Sequence, residues 1–94
     1  MYIGELIWLI RIVNKLHQKH GVSKTEVWEI FLDKPYFHFV EKGHVKGEDL
    51  YYAMGQTAAG RYLVVFFVYK QGSAALVISA RAMTKTERKF YEKQ

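Results

Sequence analysis

The 94-residue chain contains no cysteine. That excludes disulfides, thiolate metal sites and cysteine nucleophiles, and it suits a reducing compartment such as the cytoplasm. Proline occurs once, at Pro35. The longest apolar run near the start, Leu6 to Ile10, is far too short to span a bilayer. Glu5 precedes that run and no small-residue cleavage site follows it, which argues against a secretory signal. There is no glycine-rich phosphate loop, no internal repeat, no low-complexity stretch and no linker. His17 and His20 stand three apart, but no third ligand has suitable spacing, so no metal site is expected. Ser79 has no evident base partner and is not read as a nucleophile. No cofactor is expected.

Half of the residues are hydrophobic, enough for a core without crosslinks, and the length fits a single domain over 1–94. The net charge is +5, and it is unevenly spread. Arg11, Lys15 and Lys19 against Glu5 give residues 1–20 a charge of +2. Residues 21–80 balance to 0. Arg81, Lys85, Arg88, Lys89 and Lys93 against Glu87 and Glu92 give residues 81–94 a charge of +3. If the two ends meet in space they form one basic patch suited to phosphates; otherwise they are solvated, charged faces.

Tyr2 to Ile10 reads as a buried strand or as the start of a helix, since so short a run has no decisive periodicity. Ile10, Val13 and Leu16 then recur at helical spacing, and Gly21 suits the position just past the helix end. Ser23-Lys24-Thr25-Glu26 is a capping-box pattern opening a second helix, whose apolar face is Val27, Ile30 and Phe31. Asp33-Lys34-Pro35 stops it. Strands are expected at Tyr36–Val40, Leu50–Gln56, Arg61–Lys70 and Ala75–Ala80, with a polar loop over Glu41–Asp49 and turns at Thr57–Gly60 and Gln71–Ser73. The nearly continuous apolar run Leu63–Val68 suits a central strand covered on both faces. Thr84-Lys85-Thr86-Glu87 is a second capping box, opening a short helix with Phe90 and Tyr91. The expected fold is α+β: a mostly antiparallel sheet of four or five strands, two N-terminal helices and one short C-terminal helix, with the helices on one face.

Four pieces in this order resemble the BrnT toxin family: Lys19-His20-Gly21-Val22-Ser23 with Glu26 and Phe31; His44…Gly47-Glu48-Asp49 with Met54-Gly55-Gln56-Thr57; Ala59-Gly60-Arg61 with Leu63-Val64-Val65; and Ile78-Ser79-Ala80-Arg81-Ala82-Met83-Thr84 with Glu87, Arg88 and Tyr91. The resemblance covers Lys19 to Tyr91. It implies a RelE-like fold and a metal-independent ribonuclease toxin of a type II toxin–antitoxin system that inhibits translation. The implied partners are RNA and a BrnA-like antitoxin that itself binds DNA, with no membrane involved. Two departures stand out: Leu50 occupies a place where many family members carry arginine, and Phe67 one where many carry histidine. They keep a second reading open, a weakened or inactive chain that acts as a binding module through a DNA-binding partner.

RNA cleavage without a metal needs an activated 2′-hydroxyl, a stabilised phosphate and a protonated 5′ leaving oxygen. Arg81 is expected just after a strand and before a helix N-terminus, where an arginine and free amides suit a phosphate. Arg88 and Tyr91 share a helix face, Arg88 for phosphate and Tyr91 either for a base or as an anchor to the sheet. Lys19 adds positive charge. Arg61 opens its strand, for phosphate contact or for simple solvation. His20 and His44 are the acid–base candidates, His44 with Glu48 and Asp49 beside it, while His20 also suits a helix C-terminus. His44 ranks ahead of His38, which sits in a strand pattern and can face either way. The expected catalytic set is thus His20, His44, Glu48 and Arg81, and the phosphate-binding set Lys19, Arg61, Arg81, Arg88 and Tyr91.

Overall fold

A computed structural model describes residues 1–94. The order of elements is β1 (Glu5–Ile7), α1 (Ile10–Lys15, running on into a π-helical turn, Leu16–His20), α2 (Lys24–Leu32), β2 (Tyr36–Glu41), β3 (Leu50–Gln56), β4 (Tyr62–Lys70), β5 (Ala74–Ala82) and α3 (Lys85–Glu92). The five strands form one sheet in the order β1-β5-β4-β3-β2. β2 to β5 are an antiparallel meander, and β1 adds to β5 in parallel, so the sheet is mixed. The first ten residues are therefore strand first and helix after, which the apolar run alone left open.

Local chemistry fixes the helix ends. Ser23 Oγ accepts from the Glu26 amide at 3.1 Å while Glu26 Oε1 accepts from the Ser23 amide at 3.0 Å. Thr84 and Glu87 repeat this reciprocal pair at 3.1 and 2.8 Å. Gly21 ends the first helical segment in the left-handed region, φ 59°, where a side chain would be strained.

Strand alternation sorts the sheet into two faces. Phe37, Ala53, Val65 and Ala80 stand opposite one another across β2, β3, β4 and β5. With Leu63, Phe67, Ala75 and Val77 they meet Leu16, Val22, Val27, Ile30 and Phe31 in the core. This face carries α1 and α2. Gly55 lies on it beneath Ile30, whose Cγ2 would be 3.0 Å from an added Cβ, so the missing side chain lets α2 approach β3. On the other face, Tyr36, Met54, Val64 and Arg81 form one row and His38, Tyr52, Phe66 and Ser79 the next.

The three helices do not share a face. α3 folds over the second face, where Phe90 meets Tyr36 edge-on at 5.3 Å and Tyr91 meets Tyr62 at 6.0 Å. The short link Met83-Thr84 crosses the end of the sheet, and the apolar residues of α3 find their partners among the outward tyrosines. The two basic ends of the chain consequently lie on opposite faces of the sheet and do not form one face. β5 is also longer than expected. It contains a bulge at Ile78, because Phe66 pairs with Ser79 whereas the adjacent Phe67 pairs with Val77.

Candidate active site

The bulge determines where Arg81 points. Ala75 and Val77 face the core, but past the extra residue it is Ala80 that turns inward and Arg81 that turns outward, toward α3. Arg81 lies inside β5, paired with Val64, and not beyond the strand end. Its guanidinium makes a bidentate pair with Glu87, Nη1–Oε1 2.7 Å and Nη2–Oε2 2.9 Å, and Nη1 also donates to the Ala82 carbonyl at 3.2 Å. The group rests over the Phe66 ring, 5.7 Å from its centre. The Arg81 pair, helped by the Thr84 amide, holds the Glu87 carboxyl down at about 2, against the ordinary 4.5. The same pair raises the Arg81 pKa. Arg81 Nε donates to no protein group, so the side edge of the guanidinium, Nε with the second Nη2 proton, stays open for a two-point contact. The amides of Thr84 and Glu87 at the start of α3 are already used by the capping box.

Arg88 and Tyr91 belong to the same corner. The Arg88 guanidinium sits 4.0 Å above the Tyr62 ring and is held at 3.6 Å by Glu92 one turn on. Tyr91 packs on Tyr62 and lines a cleft of about 510 Å³ with Lys34, Tyr36, Gln56 and Tyr62. Burial, then Asp33 and Tyr62, raises the pKa of its hydroxyl, which keeps it protonated. Tyr91 thus anchors α3 and still presents one edge to the cleft.

Arg61 is engaged elsewhere. Its Nη1 donates to the Gly21 carbonyl at 2.9 Å and to Glu26 at 2.8 Å, and its Nη2 reaches the His20 carbonyl at 3.5 Å. Burial pushes the Glu26 carboxyl up, but the Ser23 amide and Arg61 outweigh it, and the net shift is downward. Arg61 therefore clamps the end of α1 and the start of α2 onto the β3–β4 turn. Lys19 and His20 are exposed on that side of the sheet, away from α3.

His44 and Glu48 lie at the far end. His44 is exposed in the β2–β3 loop, and Glu48 pairs with Lys70 at 2.7 Å. Lys70 is six residues along β4 from Val64, the partner of Arg81, or roughly 20 Å at the rise of a strand. No single phosphate can touch both places. The proposed set thus splits into three groups: Arg81, Arg88 and Tyr91; Lys19, His20 and Arg61; His44 and Glu48.

One pair was not assembled from the sequence, where His38 ranked behind His44 and Tyr52 was not singled out. His38 faces outward with Tyr52, its ring stacked on the tyrosine at 4.9 Å and 19°. Both line a shallow groove of about 310 Å³, whose opposite wall is α3 with Thr86, Glu87 and Phe90. Burial, then Tyr36 and Glu87, raises the pKa of the Tyr52 hydroxyl. The two-residue spacing from Tyr36 to His38 was a usable signal, but only once α3 was known to cover that face. No three histidine or acidic side chains come close enough to hold a metal ion, and no helix is long and apolar enough to cross a membrane.

The residues that were departures from the resemblance also receive places. Phe67 is fully buried on the helix-covered face, edge-on to Phe31 at 5.2 Å and stacked on Tyr51 at 5.9 Å. Leu50 is half-buried on the outward face, opposite Val68.

A family model described as "Ribonuclease toxin, BrnT, of type II toxin-antitoxin system" matches residues 13–87. The 1.1 Å crystal structure of the Brucella abortus ribonuclease toxin, BrnT, is similar in fold, with a TM-score of 0.65 over 86% of this chain and 97% of that one, at 21% identity. No curated protein matches the chain. With the match spanning most of the sheet and reaching both capping boxes, the chain belongs to the BrnT family of ribonuclease toxins of type II toxin–antitoxin systems.

Proposed function

We propose that this protein is a metal-independent endoribonuclease toxin that inhibits translation by cutting RNA in the cytoplasm. On this reading a single RelE-like domain over residues 1–94 carries the activity, and a BrnA-like, DNA-binding antitoxin neutralises it; contact with DNA is then only through that partner. The observation that carries the reading is the open edge of Arg81 on the outward face of the sheet. Arginine stays charged and grips phosphate at two points, which suits the charge that builds up on phosphorus during transesterification. Arg88, held over Tyr62, supplies a second cation along the same face. Lys19, His20 and Arg61 lie on the other side, so their part is in holding the fold or meeting a more distant stretch of RNA. His44 and Glu48 are too far from Arg81 to act on the phosphate it holds.

Induced expression is expected to arrest growth, and the purified protein to cut RNA in EDTA. Arg81→Ala should lose both effects, while Arg81→Lys, which has charge but no fork, should recover only a part. Growth arrest and cutting that persist in Arg81→Ala would overturn this placement of the site. The second reading, a non-catalytic binding module, rests on Leu50 and Phe67. Phe67 favours it little, because a residue at that position points into the core and away from the outward face.

A further inference from the structure

We propose that His38 is the general base of this site, with Tyr52 as the residue that positions it. The inference rests on the ribonuclease reading and names a group which that reading lacks, since neither His20 nor His44 reaches the Arg81 corner.

The geometry is as follows. His38 is exposed on the edge strand β2, and its ring is held flat against Tyr52 of β3. Tyr52 meets Phe66 of β4 at 5.8 Å, and Phe66 underlies the Arg81 guanidinium. The row His38–Tyr52–Phe66 thus leads from the imidazole to the ring under the guanidinium, which Arg81 extends over it from the neighbouring row. α3 walls the row on one side and leaves the other open to solvent. A sugar–phosphate chain laid along the row meets a phosphate-gripping fork at one end and an imidazole at the other. His38 is the one histidine on this outward face, the others being on the first helical segment and in the distal loop. The groups that face it are Tyr36 on its own strand, Tyr52 on β3 and Glu87 on α3, with Arg81 behind Glu87. Glu87 is an unsuitable base itself, because both of its oxygens are taken up by Arg81.

In the step assigned here, neutral His38 takes the proton of a ribose 2′-hydroxyl as the 2′-oxygen–phosphorus bond forms. The phosphorus–5′-oxygen bond breaks, and the 5′-oxygen takes a proton from water. The products are a 2′,3′-cyclic phosphate and a 5′-hydroxyl, and the resulting hydroxide is neutralised by the proton on His38.

The test compares wild type, His38→Gln, Tyr52→Phe, Tyr52→Ala and His44→Gln on a short single-stranded RNA in EDTA between pH 5 and 8. Binding is measured separately with the same oligonucleotide carrying 2′-deoxyribose throughout, which cannot be cut. A general base contributes on the order of 10²–10⁴-fold, so His38→Gln should lose that much rate, with binding within about threefold of wild type. Imidazoles change charge between about pH 5 and 8, so the rise of wild-type activity across that range should vanish in His38→Gln and persist in His44→Gln. Tyr52→Phe keeps the stack, so its rate should stay well above that of a Tyr52→Ala variant, which removes it; equal rates in the two would overturn the positioning role. A His38→Gln protein that cuts within threefold of wild type overturns the assignment, as does a loss matched by an equal loss of binding. A wild-type protein that cuts nothing overturns the ribonuclease reading itself, and His38 as its base with it.

Discussion

The Arg81–Glu87 pair makes a quantitative prediction about acid stability. Glu87 has a folded pKa of about 2 against an ordinary 4.5. A carboxylate lowered in this way stabilises the folded state fully above pH 4.5 and loses that contribution as the pH falls toward 2. A shift from 4.5 to about 2 has a ceiling of about 3.4 kcal/mol. The pair is open to solvent on one side, with side-chain exposures of 34% for Arg81 and 26% for Glu87, and screening reduces the expected contribution to about 1–2 kcal/mol. The assay is urea unfolding followed by circular dichroism at pH 6, 4.5, 3 and 2, for wild type and Glu87→Gln. At pH 6 the variant should be less stable by about 1–2 kcal/mol, equivalent to a drop of about 5–10 °C in Tm for a domain of this size. The gap should close as the pH approaches 2, because the wild-type carboxylate is then protonated too. Glu26 also titrates below its ordinary range, but it is present in both proteins and cancels in the comparison. Two curves that run parallel from pH 6 to pH 2 would refute the reasoning, since the pair would then add nothing that depends on the Glu87 charge.

Other substitutions probe the remaining supports. Gly55→Ala should cost about 1–3 kcal/mol by pushing Ile30 off the sheet, read as a lower urea midpoint; a neutral variant would mean that α2 shifts freely. Thr84→Ala removes the cap of α3 and should lower stability by about 1 kcal/mol and also weaken RNA cutting, because α3 carries the partner of Arg81. Arg61→Ala should lower Tm and raise protease sensitivity near Gly21 while sparing RNA cutting measured well below that Tm; selective loss of cutting in a stable protein would return Arg61 to the site. Phe67→His places an imidazole among Phe31, Phe37 and Tyr51. It should destabilise the protein without raising its activity, as seen by calorimetry and RNA cutting together.

Much of the fold was legible in the sequence because its signals are local. Both capping boxes, the glycine stop at Gly21 and the three turns between strands each involve a few neighbouring residues whose chemistry has one common outcome. The parallel pairing of β1 was not legible, since the partner of Glu5–Ile7 is nearly seventy positions away by the register Glu5 to Ala74. The side taken by α3 was missed for a similar reason. Its apolar residues, Phe90 and Tyr91, say that it packs, but the tyrosines they pack on are spread over β2 and β4. The site suffered most from this. Arg81 could be singled out from its neighbours in sequence, but His38 gains meaning only from a cross-strand row that links four strands. Of the polar cluster attractive in sequence, Glu48 is tied to the opposite end by Lys70, and His44 lies exposed in the same loop.

The bulge at Ile78 makes the pairing of β5, more than the chemistry of its residues, decide what this protein can do. If Ile78 instead took the place of Ser79 opposite Phe66, every residue after it would exchange sides: Ala80 would turn to solvent and the charge of Arg81 would be driven into the helix-covered core. Deleting Ile78, by contrast, would leave strict alternation with Ala80 inward and Arg81 outward. A one-position slip of that pairing would therefore disarm the toxin without altering any of the residues assigned to its chemistry, and a single-codon deletion of Ile78 would not. Among related chains, an arginine three residues past the inward valine of a regular strand is accordingly equivalent to one four residues past it in a bulged strand.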